Sequence, residues 1–417
     1  MGAAMPARVF VTGMGVVSSL GLGRAAFWSS ITAGRSGASR VESFDTERIG
    51  RDFAAEVKGF NPRDHLSDSE ARRSGRCSAF AIAAARMAVA DAGLSTRHLD
   101  TERASVVLGT TMGEADVVGA LDAAWIHRGP DAMSPRVLPK YAPYLLSMAV
   151  ARALRTRGQV LTLPAACAAG NYAIGYASDL LRAARADVVV TGASELLQEI
   201  QFAGFARLGA LAPERCQPFD LNRQGLTLGE GAGVLVLESE AHALARGATL
   251  LAEVGGYGLG CDAHHITRPE PAGARIVHAM REAIARSGVT PDEVDFVNAH
   301  GTGTRANDSV ESMAVHAVFG GRRVPVSSVK SMLGHTMGAS SALEAVTCVE
   351  TIQSGLYPPT ISYETPDPEC DVDLVANAAR RGPADVVINN ALAFGGYDAV
   401  VVFAKPGRLP PPPEAAA

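Results

Sequence analysis

The stretches that decide the fold are "ADVVVTGAS" at 186–194 and "ADVVINNAL" at 384–392. Each is apolar with little polar alternation, the pattern of a strand covered on both faces. Each leads through a glycine-rich bend into a second apolar run: "GEGAGVLVLES" (229–239) and "FGGYDAVVVFA" (394–404). Upstream, "MAVADAGLSTRHLDTERASVVLGTTMG" (87–113) pairs with "EAIARSGVTPDEVDFVNAHGTGT" (282–304) in the same register. Both read as a helix ending at Ala-Gly or Ser-Gly, a short loop with a new helix start, and a strand running into Gly/Thr. Collinear matches at one offset mean that the chain is written twice. Between them, "LPAACAAGNYAIGYA" (163–177) corresponds in order to "VKSMLGHTMGASSALEA" (329–345). We expect an α/β protein of two homologous halves, 7–249 and 250–406, with insertions near 114–150 and 354–383. The tail 407–417, "GRLPPPPEAAA", is expected to be disordered.

Composition agrees with a large buried core: of 417 residues 47% are hydrophobic and 19% charged. A net charge of −5 argues against a nucleic-acid partner. No apolar run is long enough to span a bilayer, and the start lacks the basic-then-apolar design of a secretion signal. The cysteines at 77, 167, 216, 261, 348 and 370 are scattered without a C-x-x-C pair. That argues against a disulfide framework or a zinc site and points to a reducing cytoplasm.

Two halves related by a pseudo-two-fold bring equivalent loops face to face, so the turns at Cys167 and His335 should share one cleft. Read alone, a cysteine is a small buried hydrophobe. Cys167, however, stands between a strand and a helix among Ala165, Ala166, Ala168, Ala169 and Gly170. Such a corner exposes a side chain to substrate, and the helix N-terminus favours thiolate. His300 ends a strand and opens into a Gly/Thr loop, and Lys330 precedes His335 in a small-residue turn. Each histidine alone could be a structural hydrogen-bonder. Together, one cysteine, two histidines and a lysine on glycine-rich turns suggest acyl-thioester chemistry. Zinc is the competing reading, but the ligand spacing is wrong for it.

At this point the residues resemble a family, the β-ketoacyl-acyl carrier protein synthases (ketosynthases) of the thiolase superfamily. The resemblance runs through "VFVTGMGVVSSLG" (9–21), "AACAAGN" (165–171), "LGEGAGVLVLES" (228–239), "NAHGTGT" (298–304), "VKSMLGHTMGASSALE" (329–344) and "AFGGYDAVV" (393–401). It implies the thiolase fold, a five-layered α-β-α-β-α arrangement, and a dimer. It implies Cys167 as nucleophile, His300 and His335 as catalytic histidines, and Lys330 paired with Glu344. It implies Phe394 as a gate whose N–H joins that of Cys167 in an oxyanion hole, with Gly395 and Gly396 in its flexible loop. "CDAHHITRPEP" (261–271) resembles a second mobile loop beside the entrance.

The implied reaction condenses malonyl-acyl carrier protein with a Cys167-bound acyl chain, losing carbon dioxide and requiring no cofactor. Arg72, Arg73 and Arg76 stand at positions resembling a carrier-protein docking face. The sequence departs from the family pattern at Ala393, Tyr397, Asp398, Gln224 and the alanines flanking Cys167. These departures favour type II polyketide or polyene biosynthesis over housekeeping fatty-acid elongation. A degradative thiolase would need a second cysteine near 393–398, and a chain-initiating synthase an Asn in place of His335. A chain-length-factor-like subunit would lack Cys167, though such a subunit could be the partner in a heterodimer.

Overall fold

The computed structural model describes residues 8–411. Its main sheet contains eleven strands in one hydrogen-bonded path. We number them β1 (Val9–Ser18), β2 (Ala104–Gly109), β3 (Val160–Leu163), β4 (Val188–Glu195), β5 (Gly231–Ser239) and β6 (Ala252–Cys261). They continue with β7 (Phe296–Asn298), β8 (Pro325–Ser327), β9 (Asp373–Leu374), β10 (Val386–Ala393) and β11 (Tyr397–Ala404). From the centre outward the first half reads β1-β5-β4-β2-β3, and the second reads β6-β11-β10-β7-β8, with β9 added at its edge. Strand directions repeat as well. In each half the two inner pairings are antiparallel and the two outer ones parallel. The duplicated sequence is therefore a duplicated topology. The halves join where Val9–Val11 pairs antiparallel with Ala252–Val254, so the two five-stranded units form one continuous sheet.

Six helices complete the layers: α1 (Arg76–Asp91), α2 (Leu145–Leu154), α3 (Ala169–Arg182), α4 (Ala274–Arg286), α5 (Arg305–Phe319) and α6 (Ser340–Ser354). The first two cover the outer face of the first half, while α4 and α5 cover the second. The central layer is α3 with α6, which touch each other and strands of both halves. Almost all of α6 is buried, and Gly170 on α3 sets the closeness of approach. A Cβ at Gly170 would lie 2.5 Å from the Ala342 nitrogen. This is the five-layered α-β-α-β-α arrangement of the thiolase fold. Among the described residues no helix is long and apolar enough to cross a membrane.

The expectation of a disordered tail from residue 407 does not hold for its first residues. Leu409 is buried in the cluster around Ile284 and Val402, and Arg408 donates to Glu293. An apolar leucine beside a paired arginine offsets the entropy of ordering these few residues. The remainder, 412–417, lies outside the described residues.

Candidate active site

The repeated topology repeats a strained corner. Ahead of α3, Ala166 takes φ 46°, and ahead of α6, Met337 takes φ 49°. Neither is glycine, so each holds a costly left-handed conformation next to a functional side chain. The two corners meet across the central layer. Asn171 N–H donates to Ser341 Oγ at 3.1 Å, and Ser341 Oγ donates to the Cys167 carbonyl at 3.2 Å.

Cys167, His300 and His335, taken from both halves, lie together at the base of one cavity of about 530 Å³. His335 Nε2 is 3.1 Å from Cys167 Sγ. The two imidazoles stand nearly perpendicular, with ring centroids 5.5 Å apart. Phe394 N–H points at the same sulfur. Lys330 is buried and paired with Glu344, as the sequence reading expected, and its Nζ is 3.3 Å from His300 Nδ1.

These contacts decide the tautomers. Met337 N–H donates to His335 Nδ1 at 3.2 Å, so that nitrogen is an acceptor and the proton sits on Nε2. Ser340 Oγ lies 2.8 Å from the same Nδ1 and braces the ring. A lysine ammonium can only donate, so His300 Nδ1 also accepts and its proton sits on Nε2. Burial holds both histidines well below the ordinary imidazole pKa, and the Lys330 charge adds to the effect. Both are therefore neutral at neutral pH and present an Nε2–H to the cavity.

Cys167 corrects the sequence reading. Although α3 begins beside it, burial pushes its thiol up to about 12, more than Lys330 and the Phe394 N–H pull it down. Burial disfavours the thiolate, so the resting group is a thiol.

The backbone carrying His300 is held by acids that single-residue reading overlooked. Glu311, eleven positions downstream on α5, accepts from His300 N–H and Gly301 N–H at 2.8 Å each. Asp308 accepts from Thr302 and Gly303, and Glu195 accepts from Thr111, Met112 and Gly338. Burial pushes Glu195 and Glu311 up to about 7 despite those bonds. For Asp308 and Glu311 the sequence signal is an acid at helical spacing after a glycine-rich turn, "HGTGTRANDSVE" (300–311).

Two loops wall the cavity mouth. Asp262, Thr267, Arg268 and Pro269 stand on one side, and Phe394 on the other, stacked on Phe205 with centroids 5.5 Å apart. Gly395 and Gly396 take φ 83° and 79°, conformations a side chain would strain, so the turn after Phe394 depends on them. Of the three arginines read as a docking face, Arg72 and Arg73 are exposed on the short helix Asp68–Arg73. Arg76 is not free: it pairs with buried Glu230 and lies over the Phe80 ring at 4.7 Å. None of the three lines the cavity.

Comparison with known proteins accounts for the whole frame. The family model "Beta-ketoacyl synthase, N-terminal domain" matches residues 7–243, and "Beta-ketoacyl synthase, C-terminal domain" matches 251–364. Nodulation protein E of Rhizobium sp. (strain N33) is 37% identical over 402 residues, 96% of this chain and 99% of that one. The 3-oxoacyl-[acyl-carrier-protein] synthase 2 of Staphylococcus aureus (strain COL) is 37% identical over 406 residues, 95% of this chain and 98% of that one. Among solved structures, the ishigamide ketosynthase/chain length factor superposes with a TM-score of 0.94 at 43% identity, covering 96% of this chain and 100% of that one. The chain belongs to the β-ketoacyl synthase family.

Proposed function

We propose that this β-ketoacyl synthase elongates acyl chains by decarboxylative condensation of malonyl-acyl carrier protein with an acyl group held on Cys167. The observation that carries the reading is the pair of neutral imidazoles, each with its proton fixed on Nε2, lining one cavity with a buried thiol. In the first step the Cys167 sulfur bonds to the acyl carbon of a carrier thioester, and the carrier sulfur leaves. The Cys167 proton ends on that departing sulfur. The Cys167 and Phe394 N–H groups receive the transient oxyanion.

In the second step a malonyl thioester takes the vacated space. Its carbonyl oxygen accepts from His300 and His335 while carbon dioxide departs, so the developing enolate charge meets two donors already in place. The enolate carbon attacks the Cys167 thioester. The cysteine leaves as thiolate and takes up one proton, and a β-ketoacyl-carrier protein is released. Lys330, paired with Glu344, orients His300. In this scheme the half 7–249 supplies the nucleophile and the half 250–406 the enolate site.

The pathway we favour is type II polyketide or polyene biosynthesis, with housekeeping fatty-acid elongation as the second reading. The 43% identity to the ishigamide ketosynthase/chain length factor, against 37% to the staphylococcal synthase, supports that order. A partner subunit, either a second copy or a chain-length-factor-like chain, fits the far edge of the first half. There β3 ends the sheet among the described residues, and Val160 on it is exposed together with Tyr144, whose carbonyl accepts from Thr162 Oγ1. The free cysteines suit a cytoplasmic setting.

The test is mass spectrometry of acyl- and malonyl-loaded carrier proteins incubated with the enzyme, alone and with a co-expressed partner. A product two carbons longer with one added keto oxygen supports the assignment. Malonyl loss without elongation in every combination overturns it.

A further inference from the structure

Four fully buried residues connect the elements that carry the reacting groups. Asn171 lies on α3, one turn past Cys167, and Asn298 ends β7, two residues before His300. Ser341 lies on α6, next to the Ser340 that braces His335, and Asn389 lies on β10, five residues before Phe394. Asn389 reaches the other three. Its Nδ2 donates to Asn171 Oδ1 at 2.9 Å and to the Ser341 carbonyl at 2.8 Å, and its Oδ1 accepts from Asn298 Nδ2 at 2.9 Å.

The orientation of each amide is forced. Asn171 Nδ2 faces two backbone carbonyls, those of Asn389 and Ala399, at 3.0 Å each. A carbonyl only accepts, so the Asn171 nitrogen stands there and its oxygen turns to Asn389. Asn389 must then donate, and its other N–H meets the Ser341 carbonyl, again an acceptor. Its oxygen is left for Asn298, which donates. The donors and the acceptor of Asn389 are therefore each spent on a different element. An aspartate would bring no donor, and a leucine neither donor nor acceptor.

Neither the strand ladder nor the duplication supplies this junction. The ladder sets Asn389 opposite Asn298, but only the side chain extends the hold to α3 and α6. In the repeat, Asn389 of "ADVVINNAL" stands where the first half has Thr191 of "ADVVVTGAS". The Thr191 hydroxyl is buried and has no hydrogen-bond partner among the described residues.

We propose that Asn389 is a positioning residue for the condensation: its amide holds α3, β7 and α6 to one point and so sets the separations among Cys167, His300 and His335. The acyl carbon on Cys167 and the enolate carbon formed at the histidines come from opposite halves and must meet within bonding approach. A misplacement of about 1 Å between them costs on the order of 10²-fold in rate. The rate consequence rests on the condensation reading; the geometry does not.

The experiment compares Asn389→Leu with Asn171→Leu/Asn389→Leu. The single variant leaves Asn171, Asn298 and Ser341 facing an apolar group and should lower the urea midpoint. The double variant should recover part of that, because replacing both partners of a buried bond is cheaper than orphaning one. Where the single variant does not fold, the double carries the same measurements. Crystal structures of the folded variants are expected to show the 3.1 Å Cys167–His335 separation or the 5.5 Å centroid distance between the histidines altered. The expected change is about 0.5 Å or more, enough to disturb a near-attack geometry. Condensation is followed by mass spectrometry and counted per acylated Cys167. In both variants kcat should fall about 10²-fold while KM for malonyl-carrier protein stays within about twofold. Unchanged distances, or condensation within about threefold of the parent, overturn the proposal. So does condensation that returns in step with the urea midpoint in the double variant, since that marks a structural role alone. A parent that does not condense fails the condensation reading, and the distances still decide this one.

Discussion

Consider replacing Cys167 by Gln and then removing one histidine at a time. The amide cannot carry an acyl group, so condensation stops, while the enolate site stays intact. Both Nε2–H groups remain, because their tautomers are held by Met337 N–H and Lys330 rather than by the cysteine. The Cys167→Gln enzyme is therefore expected to decarboxylate malonyl-carrier protein. Adding His300→Ala or His335→Ala deletes one donor from a site where both rings are only 3% exposed, so bulk water is poorly placed to replace it. The loss expected is that of one preorganised oxyanion donor, about 10²–10³ in rate, or roughly 3–4 kcal/mol. The assay is conversion of malonyl- to acetyl-carrier protein followed by mass spectrometry, with circular dichroism to establish that each variant is folded. Double variants that decarboxylate as fast as Cys167→Gln alone would show that the histidines are structural and that the tautomer argument is irrelevant to the chemistry.

With the thiol pushed up to about 12, the rate of Cys167 alkylation by iodoacetamide should climb about tenfold per pH unit from pH 7 to 9 without a plateau. A plateau near neutrality would mean that the helix dipole outweighs burial after all. Lys330→Met strands Glu344 in a site where both partners are 1% exposed, which should cost about 3–5 kcal/mol in urea unfolding. Lys330→Met with Glu344→Leu should recover much of that, and a single variant within 1 kcal/mol of the parent would contradict the buried-pair account. Gly170→Ala forces α3 and α6 apart at the contact that seats Cys167, an overpacking penalty of about 1–3 kcal/mol. Condensation should fall with it, and an unchanged melting temperature would refute the close approach. Arg72→Glu with Arg73→Glu should raise KM for acyl-carrier protein several-fold but spare small thioester analogues, and equal effects on both would remove these arginines from docking.

Much of this molecule was legible in one dimension because duplication is a sequence property. The paired runs at 186–194 and 384–392 imply two halves of one topology, and equivalent turns in such halves must converge. That placed the turns at Cys167 and His335 in one cleft, a strand end and a small-residue turn singled out His300 and Lys330, and the resemblance to a family added Glu344 and Phe394. What the chain could not express is anything that depends on distance across the central layer. The ionisation of Cys167 is one case: its position at a helix start is local, but the burial that raises its thiol is produced by α6 and β10 packing over it. Arg76 is another: beside Arg72 and Arg73 it reads as exposed charge, and only the fold brings Glu230 and Phe80 to it. The tautomers of both histidines rest on partners set by three-dimensional approach, a backbone N–H for one and an ammonium thirty residues away for the other. Residue types and periodicity are set along the chain, whereas desolvation and hydrogen-bond partnership are set by whatever the tertiary structure packs nearby, and those two decide which groups here carry a charge or a proton.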